Sequence, residues 1–471
     1  MERRVEVAII GAGSAGISAL TEVQKKTDDF LVINEGPYGT TCARVACMPS
    51  KALIEAANAY HRRKAYPDMG IKGADLLQAD LPSVLRHVRQ LRDGFVSGMV
   101  SITDKLGERS ISGRAEFIEP NLLQVGDQKI AAEKIVIATG SRPLIPEGWE
   151  EFGRRILTSD LLFEQEDLPS RMAVIGLGGT GLELGQALSR LGVEVSGFEK
   201  APSVGGLSDS RVNECFLQAV SEDFSIHTGE SAKLESEGDA VRVTAGSTSV
   251  VVDKILVAMG RLPNIDRLGL DRLGLETDDK GIPKYNPESL QIGDLPIYIA
   301  GDANGQRVLL HEAVDEGHIA GFNAARSANQ CFQRRVPLGI VFSDPEIVLL
   351  GEKPDNLQES DYITGEADFR SQSRALMAGR NQGCMRLYFD RRQGRLLGAE
   401  MAVPDGEHMG HFLAAAIQQG MTVFDLLKIP FYHPVVEEGL QSALKHAGKQ
   451  LGGKSAAEVL MCESTPDESL C

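Results

Sequence analysis

Val5-Glu6-Val7-Ala8-Ile9-Ile10-Gly11-Ala12-Gly13-Ser14-Ala15-Gly16 decides the fold. The apolar run reads as a buried strand, and it passes directly into a Gly-x-Gly-x-x-Gly turn. A helical stretch follows to about Lys26, then a second strand, Phe30-Leu31-Val32-Ile33-Asn34-Glu35. Strand, glycine turn, helix and strand in that order make a βαβ nucleotide-binding unit. Gly11 permits the tight turn, Gly13 lets a pyrophosphate approach the backbone, and Gly16 lets the helix pack closely on the sheet. The helix N-terminus offers unpaired N–H groups and a partial positive charge to the phosphates. Glu35, about two dozen residues after Gly11, is placed to accept hydrogen bonds from a ribose.

The pattern recurs. Met172-Ala173-Val174-Ile175 leads into Gly176-Leu177-Gly178-Gly179-Thr180-Gly181, a helix through Leu191 and the strand Val193–Glu199. Gly176, Gly178 and Gly181 repeat the roles of the first three glycines, so the chain carries two dinucleotide sites in paired domains. Glu199 ends the second unit where an adenosine ribose should lie. A carboxylate there accepts from a free 2′-hydroxyl and repels a 2′-phosphate, which favours NAD over NADP. Three further strands end in short signals: Thr139-Gly140, Gly260-Arg261 and Gly301-Asp302. Open α/β sheets bind ligands at such ends, and Asp302 offers a carboxylate to a polyol.

Between the two units stand Cys42 and Cys47, followed by Pro49-Ser50-Lys51. A close thiol pair beside a nucleotide can take up two electrons as a disulfide and pass them on. A zinc site would need two further ligands at compatible spacing, and none stands out. An isolated structural disulfide is uncommon in a reducing compartment. A helix around the pair, with Lys51 nearby, would lower a thiol pKa. Cys215, Cys331 and Cys384 read as scattered single residues, most simply small buried hydrophobes. Thiol exchange also needs a proton acceptor. His433 precedes Pro434, which suits the first turn of a helix over Val435–Leu440, and Glu438 can fold back to hold the imidazole.

With 66 acidic against 49 basic residues and a net charge of −17, nucleic acid and anionic membranes are poor partners. No apolar run is long enough to cross a membrane and no signal segment precedes the first strand, so a cytoplasmic location is expected. No metal site is expected.

In order, Gly11–Gly16, Cys42–Cys47 with Pro49-Ser50-Lys51, Ala138-Thr139-Gly140, Gly176–Gly181, Gly260-Arg261, Gly301-Asp302, Val341–Glu346 and Tyr432-His433-Pro434 span nearly the whole chain. This series resembles the pyridine nucleotide–disulfide oxidoreductases, and most of all their dihydrolipoamide dehydrogenase branch. The resemblance implies an α/β fold with two Rossmann-like domains, one for FAD and one for NAD, and a C-terminal α+β dimerisation domain. The expected divisions are 1–145 (FAD, first part), 146–267 (NAD), 268–335 (FAD, second part), 336–453 (dimer interface) and 454–471 (flexible tail). It implies that Cys42 faces a dithiol substrate, Cys47 faces the flavin, and Thr41 and Lys51 lie near the cofactor. Glu183 would pair with that lysine, and the His433–Glu438 dyad would reach the thiol pair of a partner subunit in a homodimer. The activity implied is transfer of electrons from dihydrolipoamide, free or on a lipoyl domain of a 2-oxoacid dehydrogenase complex, to NAD.

Some residues depart from the family pattern. Arg44 replaces the usual Asn between the cysteines and Ala46 the usual Gly, while Val435 and Glu437 replace Thr and Ser after His433-Pro434. These leave open an NAD(P)H-dependent reductase of another small disulfide. A transhydrogenase-like flavoprotein and a non-catalytic flavoprotein are the other readings. Cys462 and Cys471 read as incidental cysteines of an acidic tail rather than a second redox pair.

Overall fold

Over Val7–Ile10 of the strand Glu2–Ile10, side chains point alternately to two apolar layers. Val5, Ala8 and Ile10 join a core with Leu31, Ile33, Ile135, Ile137, Ile297 and Ile299. Val7 and Ile9 join a second core with Ala15, Ala19, Leu20, Val32 and Val136. A sheet buried on both faces requires near-continuous apolar strands, which is why the opening run carries no polar alternation. The computed structural model describes residues 2–461, and the chain divides into two units.

The first unit holds the residues up to Ala56, Asp80–Leu168 and Leu256–Arg334. Glu2–Ile10 lies parallel between Phe30–Asn34 and Gln128–Ile137. Ser110–Ser112 extends the sheet beyond Phe30–Asn34, and Ile297–Ile299 pairs in parallel with Gln128–Ile137. The helix Ser14–Val23 connects the first two strands, as the βαβ reading requires.

The second unit holds Ala57–Ala79, Pro169–Ile255 and the described chain from Arg335 onward. Arg171–Ile175, Glu194–Glu199 and Ser225–Thr228 form the parallel strands of the second fingerprint, and Gly179–Arg190 is its crossover helix. A separate antiparallel sheet runs Leu338–Val341, Glu346–Gly351, Leu396–Val403, Cys384–Asp390, Tyr362–Asp368. Helices Gly406–Gln418 and Glu438–Gln450 bury Leu413, Ala416, Leu440 and Leu444 in the core of that sheet.

Among the described residues no helix is long and apolar enough to cross a membrane, and no group of three or more His, Cys, Asp or Glu is placed to hold a metal. The described part of the tail carries a turn of helix, Ala456–Val459, capped by Ser455. Cys462 and Cys471 lie outside the described residues.

Candidate functional site

The two fingerprints are built to one plan. Gly11 N–H donates to Ile33 O at 2.7 Å, and Gly176 N–H donates to Phe198 O at 2.9 Å. The next N–H is taken by a side chain at the end of the second strand: Ala12 N–H by Asn34 Oδ1 (3.0 Å), Leu177 N–H by Glu199 Oε2 (2.7 Å). The position matching Glu199 is therefore Asn34, not Glu35. Equal spacing from the first glycine of each turn was the signal that could have found it. Glu35 lies one residue further on, lines the same cavity, and binds Arg114 through both carboxylate oxygens at 2.6–3.1 Å. That hydrogen bond holds the Glu35 carboxyl below its ordinary range.

Gly13 and Gly178 begin their helices with no side-chain cap, which leaves the first N–H groups for a ligand. A Cβ at either position would project into open space. The cavity beside the first turn, about 320 Å³, is lined by Gly11, Asn34, Glu35, Arg114, Thr139 and neighbouring residues. Thr139 Oγ1 is buried without a hydrogen-bond partner. Two uncapped helix ends and an orphaned hydroxyl suit dinucleotides.

The three strand-end signals converge within the first unit. Ser141 Oγ donates to Asp302 Oδ2 at 2.6 Å and accepts from Arg261 Nε at 2.7 Å, while Arg261 Nη2 donates to Ser141 O at 2.8 Å. Asp160 stands 3.6 Å from Arg261, and Asn264 bonds the backbone of Thr139 and Gly140. Gly260, Arg261, Ser141, Asp302 and Met259 line a cavity of about 1000 Å³. Ser141, Asp160 and Asn264 carry no motif of their own, and the sequence reading missed them.

Cys42 lies in the short helix Thr41–Val45, whose first residue is Thr41. Cys47 is the first residue of the helix Cys47–His61, with Pro49 and Lys51 in its opening turns. Both cysteines are half-buried. A hydrogen bond to Cys47 pushes the Cys42 pKa up, because two thiols in contact do not both ionise easily. The backbone N–H of Cys47 and the Lys51 charge pull it the other way. The Arg44 stem lies near Gly39: a Cβ there would sit 3.3 Å from Arg44 Cδ.

In the second unit Glu183 is buried and accepts the Phe342 N–H at 3.0 Å, so it is no solvated helix charge. His433 Nδ1 lies 2.9 Å from Glu438 Oε1. This hydrogen bond holds the Glu438 carboxyl below its usual range. The helix starts at Glu438 rather than Val435, because Glu438 Oε2 takes the Val435 N–H (3.2 Å) and closes a turn ahead of it. Cys331 is exposed, and Cys215 and Cys384 are buried in mutual contact; the reading of three scattered buried residues is corrected on both points.

The pyridine nucleotide-disulphide oxidoreductase model matches residues 5–317, and the dimerisation domain of that group matches residues 338–444. The chain belongs to the pyridine nucleotide-disulphide oxidoreductases. The dihydrolipoyl dehydrogenase of Thermus scotoductus is 30% identical over 94% of this chain and 98% of its own. The mercuric reductase of Staphylococcus aureus is 29% identical over 93% and 81%. Among solved structures, LpdA from Mycobacterium tuberculosis has a TM-score of 0.80 at 24% identity, covering 94% of this chain and 99% of its own. The HOCl-induced flavoprotein disulfide reductase RclA from Escherichia coli has 0.81 at 20%, covering 94% and 99%. These two establish the fold. Membership makes the chain a flavoprotein disulfide oxidoreductase with FAD and NAD as cofactors, and the matched dimerisation domain supports a homodimer.

Proposed function

We propose that the enzyme is a dihydrolipoyl dehydrogenase. The contact between His433 and Glu438 carries this reading, because it supplies a held base for a thiol substrate. The dihydrolipoyl dehydrogenase relatives, matched over nearly their whole length, support it. In this proposal Gly11, Gly13, Gly16, Thr41, Lys51, Thr139, Gly140, Gly301 and Asp302 hold FAD, with Asn34 or Glu35 at its ribose. Gly176, Gly178, Gly181 and Glu199 hold NAD, and Gly260 and Arg261 serve the nucleotide cavity of the first unit beside Asp302. When bound, FAD relays the electron pair between the thiol pair and NAD.

The protein's own chemistry begins with Cys42 and Cys47 joined as a disulfide. His433 of the partner subunit takes the proton of one substrate thiol, and Glu438 steadies the imidazolium that forms. The substrate thiolate attacks Cys42 Sγ; a mixed disulfide forms as the Cys42–Cys47 bond breaks and Cys47 leaves as a thiolate. The second substrate thiol attacks the substrate sulfur of that bond, closing the lipoyl disulfide and releasing Cys42.

Arg44 between the cysteines, with the mercuric reductase relative, keeps a second reading: an NAD(P)H-dependent reductase of another small disulfide or metal thiolate. Steady-state assays of the flavin-loaded dimer separate the two. Dihydrolipoamide with NAD+ should yield NADH, and Cys42→Ser should abolish it. Turnover of other disulfides with none of dihydrolipoamide would reject the first reading. NADH–NADPH exchange that survives loss of both cysteines would point instead to a transhydrogenase.

A further inference from the structure

The second unit holds a pair of thiols that the proposed reaction does not use. Cys215 projects from the helix Ser210–Val220 and Cys384 opens the strand Cys384–Asp390. Both side chains are buried, at 8% and 0% exposure, and the two thiols are close enough to shift each other's pKa. Cys384 Sγ also lies 3.7 Å from Arg211 O. In an α-helix that carbonyl is the acceptor for the N–H four residues on, so Cys384 sits against the turn from which Cys215 projects.

The surroundings fix this contact. Asp209 caps the helix by accepting the N–H groups of Arg211 and Val212. The same carboxylate is clamped from the cysteine strand by Arg386 Nη1 at 2.9 Å and Tyr388 Oη at 2.9 Å. From the next strand, Glu400 takes the N–H groups of Ser208 and Asp209 at 2.9 and 2.8 Å. Arg211 stands 3.6 Å from both Glu366 and Asp368, and Asp368 is the strand partner of Cys384. Helix and strand therefore meet in one register, with Cys384 against the helical turn that carries Cys215.

We propose that Cys215 and Cys384 form a second, oxidant-sensitive thiol pair that closes to a disulfide and staples the helix of the nucleotide-binding segment to the sheet of the dimerisation segment. The chemistry is that of a peroxide. The Cys215 thiolate attacks the O–O bond, forming a sulfenic acid and releasing an alcohol or water. The Cys384 thiol then attacks that sulfur, and the sulfenic oxygen leaves as water. Two thiols lose two electrons and two protons, and one peroxide is reduced. The polarity of the pair supports this order: the hydrogen bond from Cys384 lowers the Cys215 pKa and raises that of Cys384, and the Arg211 charge favours the Cys215 thiolate further.

The test uses the intact flavin-loaded dimer treated with hydrogen peroxide at a dose that also oxidises the exposed Cys331. After alkylation of remaining thiols and trypsin digestion without reductant, Val212–Lys233 and Asn381–Arg386 should appear as one linked species. It should weigh two hydrogens less than the two reduced peptides together, and dithiothreitol should separate it. Because the bond closes a long loop, the oxidised protein should melt several degrees above the reduced one. That rise should vanish in Cys384→Ser. Recovery of the two peptides only as separate alkylated or over-oxidised species overturns the proposal, and so does a linked species that leaves the melting temperature unmoved. The peptide map is made on the unaltered chain, so a poorly folding variant does not weaken it.

Discussion

Asn34 and Glu35 show how one residue of register redistributes work. Asn34 is buried and its amide oxygen holds the Ala12 N–H, so Asn34→Ala leaves a buried donor unpaired. A loss of about 1–3 kcal/mol is expected by chemical denaturation. Glu35→Ala removes only an exposed pair with Arg114 and should cost about 0–1 kcal/mol. Equal losses in the two variants would contradict this assignment. The sequence carried the signal for an acid or amide after the second strand, but an adjacent Glu is the more conspicuous ribose acceptor. Only the hydrogen bond separates the two. The His433–Glu438 contact was legible from sequence, because a five-residue return is short enough to foresee. Glu438→Gln keeps the size of the side chain and removes the charge that steadies the imidazolium. Turnover of dihydrolipoamide should fall roughly 10- to 100-fold, with the melting temperature nearly unchanged. Full turnover would remove Glu438 from the proposed dyad.

At the scale of elements, the glycines of one turn separate folding from binding. A Cβ at Gly16 would meet Gly11 O at 1.9 Å, and one at Gly11 would meet Ala138 O at 2.2 Å with φ at +109°. Backbone cannot move aside cheaply, so Gly16→Ala should cost about 2 kcal/mol or more. A Cβ at Gly13 meets nothing within 4 Å, and its φ of −79° suits any residue. Gly13→Ala should therefore fold with stability within about 0.5 kcal/mol of the parent. It should nevertheless purify with less flavin per chain, because the added methyl stands where the phosphates would approach the helix end. Melting temperature and visible absorbance per protein read the two effects separately. Normal flavin content in Gly13→Ala would show that this helix end does not hold the cofactor. The βαβ units were legible because strand, glycine turn and helix are contiguous in the chain. The ladder joining Ser141–Pro143 to Arg261–Pro263 was not, since it brings together residues more than a hundred positions apart. The contact between Cys215 and Cys384 was hidden for the same reason.

At the scale of the whole molecule, two half-buried groups of the second unit tilt stability with pH in opposite directions. Burial pushes the Glu346 pKa up to about 7, and burial pushes that of His61 down to about 4. Unfolded, the two return to their ordinary values near 4.5 and 6.5. Between pH 4.5 and 7 the native state holds a proton at Glu346 that the unfolded chain has released, so this group loses stability as pH rises. Between pH 4 and 6.5 the unfolded chain binds a proton at His61 that the native state refuses, so this group gains stability as pH rises. The two slopes largely cancel from pH 4.5 to 6.5. Glu346→Gln keeps an acceptor for the Glu407 N–H, now held at 2.7 Å, and removes only the titration. Relative to the parent, this variant should gain stability as pH rises from 4.5 to 7, by on the order of 1 kcal/mol per pH unit. Melting temperatures of both proteins at pH 5, 6 and 7 would read this directly. A constant gap across that range would place the Glu346 titration outside it. A variant that instead loses stability relative to the parent as pH rises would reverse the sign of the argument, because it would require the native state to favour the charged carboxylate.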